Sequence, residues 1–401
     1  MNHISTEQQG ATDADLVLYG GNILDVRTGN LLENHSVLVA DGTIQAIVPS
    51  TAEPRGAQVI DVSGMTVLPG LIDSHSHVMQ VSGNFVDLQE WSPYYVGARA
   101  AGVLGDMLQR GFTTVRDMGG ADAGIARAVN EGLIVGPAIK FGGPIFAPTG
   151  GHALTVVCDG EVEIRRALRK EFRDGADHIK LTVSGGVISK MRMEALGFSE
   201  AELRVAVDEA NLAQRYIAAH AYTAEAVNRA LVCGIRSIEH GNFLDERSIE
   251  LFLEHDAFYV PTLATFAYLT REENWSSLPV EKQRKLSGVL ESGLDSLDRA
   301  HRAGVKIAYG TDLHGEGHSW QLAEFQLRAK VIDPLALIQQ ATINGAELLN
   351  LTGQVGEVAA GHHADLLVVD ANPLMDISAI TADEHRRIVV AGGRVVRYRQ
   401  H

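Results

Sequence analysis

VLPGLIDSHSHV, residues 67–78, is the stretch whose reading decides the fold. An apolar run meets a Pro-Gly break, resumes as Leu71-Ile72, and closes on Asp73, His75 and His77. Side chains alternate along a strand, so both imidazoles leave the same side of the pleat. Four further short apolar runs close on a polar residue in the same way. They are HIKLTVSGG (178–186) with Lys180, YIAAHAY (216–222) with His220, SIEHGN (237–242) with His240, and KIAYGTD (306–312) with Asp312. Active sites of closed parallel barrels gather at the carboxyl ends of the strands, which is where these residues fall.

Between about 67 and 350 the pattern repeats as strand, loop, helix. The candidate strands are TVLPGLIDSHSH, FTTVRDM, AIKFGGPIF, HIKLTV, YIAAHAY, SIEHG, AFYVPTL and KIAYGTD. Helical punctuation lies between them. Ser199 and Glu202 read as a capping box ahead of an apolar face at Leu203, Ala206, Val207 and Ala210. Asp333-Pro334 reads as an N-cap and first-turn proline opening a helix that runs to Gly353. The expectation is an α/β fold, a (β/α)8 TIM-type barrel over 67–353. A doubly wound open sheet is the alternative, but no GxGxxG follows a strand. The polar stretch 270–290 reads as a mobile excursion. Alternating, β-branched texture fills 15–66 and returns in ADLLVVD and RIVVAGGRVVRY, so a small β-sandwich domain is expected from 1–66 and 354–401 together. Gly20-Gly21, Asp41-Gly42 and Ser63-Gly64 read as turns within it.

Composition narrows the classes. The 401 residues are 45% apolar and 21% charged, ordinary for a soluble enzyme. A net charge of −16 with no basic run argues against a nucleic-acid partner. Two cysteines, Cys158 and Cys233, form no disulfide framework and read as buried small apolar residues in a reducing compartment. The polar N-terminus has no apolar signal segment and no spanning run appears, so a cytoplasmic, non-membrane protein is expected.

The polar strand ends read as the ligand set of a two-metal hydrolytic site. Two imidazoles on one strand face can reach one metal at about 2.0–2.1 Å. Lys180 has two readings: an ion-pair partner for a carboxylate such as Asp312, or a carbamate formed with CO2 that bridges two cations. His220 and His240 could be hydrogen-bonded core groups, and Asp312 an N-cap. Coincidence would have to place six residues of the right types at five strand ends in barrel order.

In that order, and in VLPGLIDSHSHV, GTD and ADLLVVD, the chain resembles the amidohydrolase superfamily from about residue 15 onward. GGH (150–152), KLTVSGGV (180–187), HAYT (220–223) and IEHG (238–241) are similar to its imidazolonepropionase-like branch. Within it they resemble bacterial prolidase-like members, which remove C-terminal amino acids from dipeptides and N-acyl amino acids. The resemblance implies two divalent metals, zinc in expectation, with His75, His77 and Asp312 on the first and His220 and His240 on the second. It implies a carboxylated Lys180 as the bridge, a metal-bridging hydroxide as nucleophile and Asp312 as catalytic proton shuttle. It also implies that His152 and Tyr222 hold the carboxylate of a small-molecule substrate and that the chain forms a homo-oligomer; read by themselves, Tyr222 could instead cap or pack and His152 be a surface loop residue, while Arg192, in the loop after the fourth strand, is a candidate charge partner. ISKMRMEALGFS (188–199) departs from the relatives' loop, which puts their specificity in doubt here. His314 and His318, beyond Asp312, read as rim residues or as contacts for the substrate. A hydrolase of a cyclic amide, carbamate or arylurea is the second reading. A non-catalytic scaffold is the third, set against the retention of all six ligand-type residues.

Overall fold

A computed structural model describes residues 14–51, 56–152, 156–276 and 278–399, the side chains of 85 and 86 excepted. The polar start read above, residues 1–13, lies outside the described residues. Eight parallel strands follow one another round the barrel in chain order, Leu71–Ser76, Phe112–Asp117, Ala138–Phe141, His178–Thr182, Tyr216–Thr223, Ser237–Phe243, Phe258–Val260 and Lys306–Ile307, and the short segment Ile145–Ala147, split from the third, pairs with His178–Thr182. The ring closes where the last strand's exit meets the first strand. Ser74 N donates to Tyr309 O at 2.7 Å and Asp312 N to His75 O at 2.8 Å. The other seam is spanned by Asp177 N donating to Phe141 O at 2.9 Å. A helix follows each strand, and five of these start on a side-chain cap: Asp122, Ser199, Thr223, Asp245 and Asp333. Each such cap contributes about 0.5–2 kcal/mol.

A separate mixed sheet is built from both ends of the chain, in the order Arg394–Tyr398, Arg386–Ala391, Leu366–Val369, Thr66–Pro69, Leu16–Leu24, Leu31–Ala40, Thr43–Pro49, with Gln58–Asp61 also on Leu16–Leu24. Leu18, Val37, Val67, Leu366 and Val390 pack in a core of their own, distinct from the barrel's. Asp41-Gly42 makes the expected hairpin with both residues at positive φ. Gly20-Gly21 does not turn the chain. It lies inside Leu16–Leu24 at a register shift, with Gly20 at φ +79° against Ser63, so the pair is a bulge.

Further sequence readings need correction. TVLPGLIDSHSH is two strands: Thr66–Pro69 pairs with Leu366–Val369 in the terminal sheet, and only Leu71–Ser76 enters the barrel. The helix opened by Asp333 runs Pro334–Gln340, breaks, resumes as Ile343–Leu348, and so stops short of Gly353. The carbonyls of Gln340 and Ala341 accept from Tyr309 N and Ile72 N of the barrel, which takes them out of the helical ladder. The stretch after the seventh strand is folded, as Leu263–Leu269, Glu272–Trp275 and Val280–Leu286, with Gln283 Nε2 donating to Trp275 O and Leu278 O. Among the described residues no helix is long and apolar enough to cross a membrane.

Candidate metal centre

His75 and His77 leave the first strand with their outer nitrogens already engaged. His75 Nδ1 lies 2.7 Å from Glu239 Oε2 and His77 Nδ1 3.2 Å from Gly119 O. Both acceptors call for the proton on Nδ1, which leaves the Nε2 lone pairs free. Those two Nε2 atoms lie 3.2 and 3.1 Å from Asp312 Oδ1, and the three residues, two buried histidines and a half-buried aspartate, form a cluster of possible metal ligands. Around it, Lys180 Nζ is 3.5 Å from His75 Nε2 and His240 Nδ1 is 3.9 Å from Asp312 Oδ2. The ring of His220 stands 4.5 Å from that of His240. All six residues singled out at strand ends therefore converge on one place.

The backbone is bent to bring them there. His240, Thr262 and Asp312 have φ of 75°, 48° and 55°, the left-handed region that non-glycine residues rarely adopt. Such conformations cost about 1–3 kcal/mol each and persist where the surroundings hold them. Thr262 Oγ1 lies 2.8 Å from His240 Nδ1, and Gly185 O 3.3 Å from His220 Nε2.

The electrostatics suit a cation. Burial pushes the Lys180 amine down to about 8, against the opposing pull of Glu239 and Asp312. Burial likewise holds His220 and His240 well below the ordinary imidazole value, leaving neutral rings with a lone pair to offer. For Asp312 burial alone would raise the carboxyl, but His75 and His77 beside it hold it well below its usual range. Burial disfavours the His77 imidazolium, yet Asp312 outweighs it and raises that ring. A cation seated among these atoms replaces that proton. Neutral imidazoles and an ionised carboxylate are the donor set a divalent metal needs, so the residues fit.

The expected substrate residues divide. His152 stacks on His220 at 4.3 Å, and its buried Nδ1 has no partner among the described residues. Tyr222 is buried, edge-on to His220 at 5.0 Å and stacked on His240 at 5.1 Å. Burial, with Asp312, keeps its phenol well above the ordinary value and hence a donor. The Arg192 side chain is 84% exposed and 3.6 Å from Glu194, outside the cluster. Its carbonyl, however, presses on Gly185 and leaves no room there for a Cβ. The loop carrying it is tied down by Lys285 Nζ, which donates to Ser189 O and Met191 O at 2.9 Å each. His314 lies deeper than the rim, stacked on His77 at 4.9 Å with Nε2 3.9 Å from Asp312 Oδ1. His318 is turned to Gln80 O at 3.2 Å.

Sequence reasoning missed Arg116 and Glu239, both fully buried and paired at 2.9 Å beneath His75. The signal was available: each is a long charged side chain within a barrel strand, Arg116 in FTTVRD and Glu239 in SIEHGNF. Asp73, read on the same face as the histidines, instead accepts from Thr311 Oγ1 at 2.8 Å and Gln321 Nε2 at 2.9 Å, fastening the first strand to the last.

Gly310 allows that closure. A Cβ there would meet Val260 Cγ1 at 2.5 Å and His75 Cβ at 2.7 Å. Gly310→Ala is expected to cost about 1–3 kcal/mol in denaturant unfolding and to weaken metal retention by moving His75 away from Asp312. An unchanged midpoint with unchanged metal content would contradict this close approach.

The sequence model of the amidohydrolase family matches residues 66–396. The chain is 30% identical to ochratoxinase of Aspergillus niger over 418 aligned positions, spanning 94% of this chain and 86% of that one. It is similar in structure to a prolidase solved with N-methylphosphonate-L-proline, with TM-score 0.92, 39% identity, and 96% and 100% of the two chains covered. It is also similar to a Xaa-Pro dipeptidase solved with methionine in its active site, with TM-score 0.87, 29% identity, and 95% and 99% covered. With its barrel, its His-His-Asp cluster and a family match over most of its length, the chain belongs to the amidohydrolase family of metal-dependent hydrolases.

Proposed function

We propose that the protein is a binuclear amidohydrolase that cleaves dipeptides or N-acyl amino acids bearing a free C-terminal carboxylate. The observation that carries this reading is the buried Nδ1 of His152, which has no partner among the described residues and whose ring stacks on His220 beside Tyr222 at the edge of the ligand cluster. A phenol and an imidazole there can donate to an anion. The similar prolidase and dipeptidase structures hold a proline derivative and an amino acid, which supports the same assignment.

In this reading His75, His77 and Asp312 would hold one divalent cation and His220 and His240 a second, with carboxylated Lys180 as a ligand available to both. The metals, zinc by ligand type, supply Lewis acidity that polarises the scissile carbonyl and acidifies water. With its amine at about 8, Lys180 has a neutral fraction that adds to CO2 and releases a proton. Asp312, ionised and 3.1–3.2 Å from the two imidazoles, accepts a proton from the attacking water. It then delivers that proton to the departing amine nitrogen as the C–N bond breaks. His152 and Tyr222 fix the substrate's carboxylate, and the 187–198 loop, clasped by Lys285, shapes the space beside them.

A screen of dipeptides and N-acyl amino acids with zinc-loaded protein tests the reading. Each substrate is paired with its methyl ester. Esterification should lower kcat/KM by about 10²-fold, the loss of one or two charge-assisted hydrogen bonds. Equal turnover of acid and ester would reject the carboxylate requirement. Preferential turnover of neutral cyclic amides, carbamates or arylureas would put the second substrate class in its place.

A further inference from the structure

We propose that Glu239 is a positioning residue for the first metal site, acting through His75, and that Arg116 holds it in that role. The inference rests on the reading of His75 as a metal ligand. Glu239 Oε2 lies 2.7 Å from His75 Nδ1, and neither side chain is exposed. A carboxylate in that place keeps the proton on Nδ1, directs the Nε2 lone pair toward Asp312, and makes that nitrogen a stronger donor to a cation. A buried carboxylate needs compensation, and Arg116 provides it. Its Nη2 lies 2.9 and 3.1 Å from the two Glu239 oxygens, and Ser237 Oγ donates to Oε1 at 2.6 Å. Arg116 Nε also donates, at 2.5 Å, to the carbonyl of Ser74, so one guanidinium pins both the carboxylate and the backbone that carries His75.

The neighbouring residue gives the arrangement its reach. Consecutive strand residues face opposite sides, yet Glu239 contacts His75 and the ring of His240 stands 5.1 Å from the same imidazole. The left-handed backbone at His240, φ 75°, is what allows both. The sixth strand thus orients a ligand of one metal with Glu239 and supplies a ligand of the other with His240. The Glu-His dipeptide couples the two halves of the centre.

Two double variants separate this role from simple structural support, because both remove the buried charge pair. R116M/E239Q keeps an amide oxygen that can accept from His75 Nδ1; R116M/E239M does not. Zinc affinity is read by chelator competition, cobalt-substituted absorption reports the ligand field, and circular dichroism checks folding. We expect R116M/E239M to bind the first zinc about 10–100-fold more weakly than wild type, with R116M/E239Q recovering part of that loss. Equal affinities in the two variants would overturn the proposal, since a purely structural role affects both alike. If either variant does not fold, histidine-selective 15N labelling of the zinc-loaded wild type decides: a proton on Nδ1 of His75 supports the proposal and a proton on Nε2 overturns it. An H75N control that binds zinc as tightly as wild type would remove the ligand reading itself, leaving a distinguishable failure. Neither readout depends on the substrate assignment.

Discussion

Asp312→Asn is expected to leave the barrel folded and to lower kcat by about 10³–10⁴-fold, the upper part of what a positioned acid–base group contributes. The fold should survive because the backbone there does not depend on the carboxylate. Thr311 N and Asp312 N both donate to His75 O, at 3.1 and 2.8 Å. Asn also accepts the left-handed φ of 55° about as readily as Asp. An amide can still present an oxygen to a cation but has no basic oxygen to take a proton, so the proposed transfer from water to leaving amine fails. KM should move little, because His152 and Tyr222, not Asp312, are assigned to the substrate carboxylate. Metal content is measured beside kcat, since Asp312 belongs to the ligand cluster. A fully metallated variant with near-native kcat would reject the proton-transfer role.

Much of the barrel could be read from the chain, and the reason is local. Each barrel strand is a short apolar run with its own boundaries, and helix starts at Ser199 and Asp333 carry their caps in sequence. What could not be read was set by partners distant in sequence. The break at Gly70 depends on Leu366–Val369 arriving from the C-terminus to pair with Thr66–Pro69. The split in the helix after Asp333 depends on two barrel amides claiming its carbonyls. Gly20-Gly21 has turn chemistry, yet the close approach of Ser63 makes it a bulge.

The site divides along the same line. His75, His77, Lys180, His220, His240 and Asp312 were visible because each ends a run of another character. Arg116 and Glu239 were harder to find because their significance is pairwise, joining the second strand to the sixth. Arg192 looked like a cation for an anionic substrate, but a surface loop residue has solvent and Glu194 within reach. Lys285, which fastens that loop, comes from a stretch read as mobile.

Lys180→Ala gives the other large effect, and its sign separates the two readings of this lysine. Lys180 is nearly fully buried, with Nζ 3.5 Å from His75 Nε2. A free ammonium there would repel a cation bound by His75, His77 and Asp312. Two unit charges about 4 Å apart interact by about 4 kcal/mol at an effective dielectric near 20, so removing the ammonium should tighten metal binding. A carbamate carries the opposite charge and supplies oxygens to both metals, so removing it should loosen them. We therefore expect Lys180→Ala, and the volume-conserving Lys180→Met, to lose most bound zinc in chelator competition and to fall to background turnover. Formate or acetate should restore part of both properties in the alanine variant, where the vacated space admits a small carboxylate, and not in the methionine variant. Tighter zinc binding in both variants would establish the ammonium and exclude the bridge.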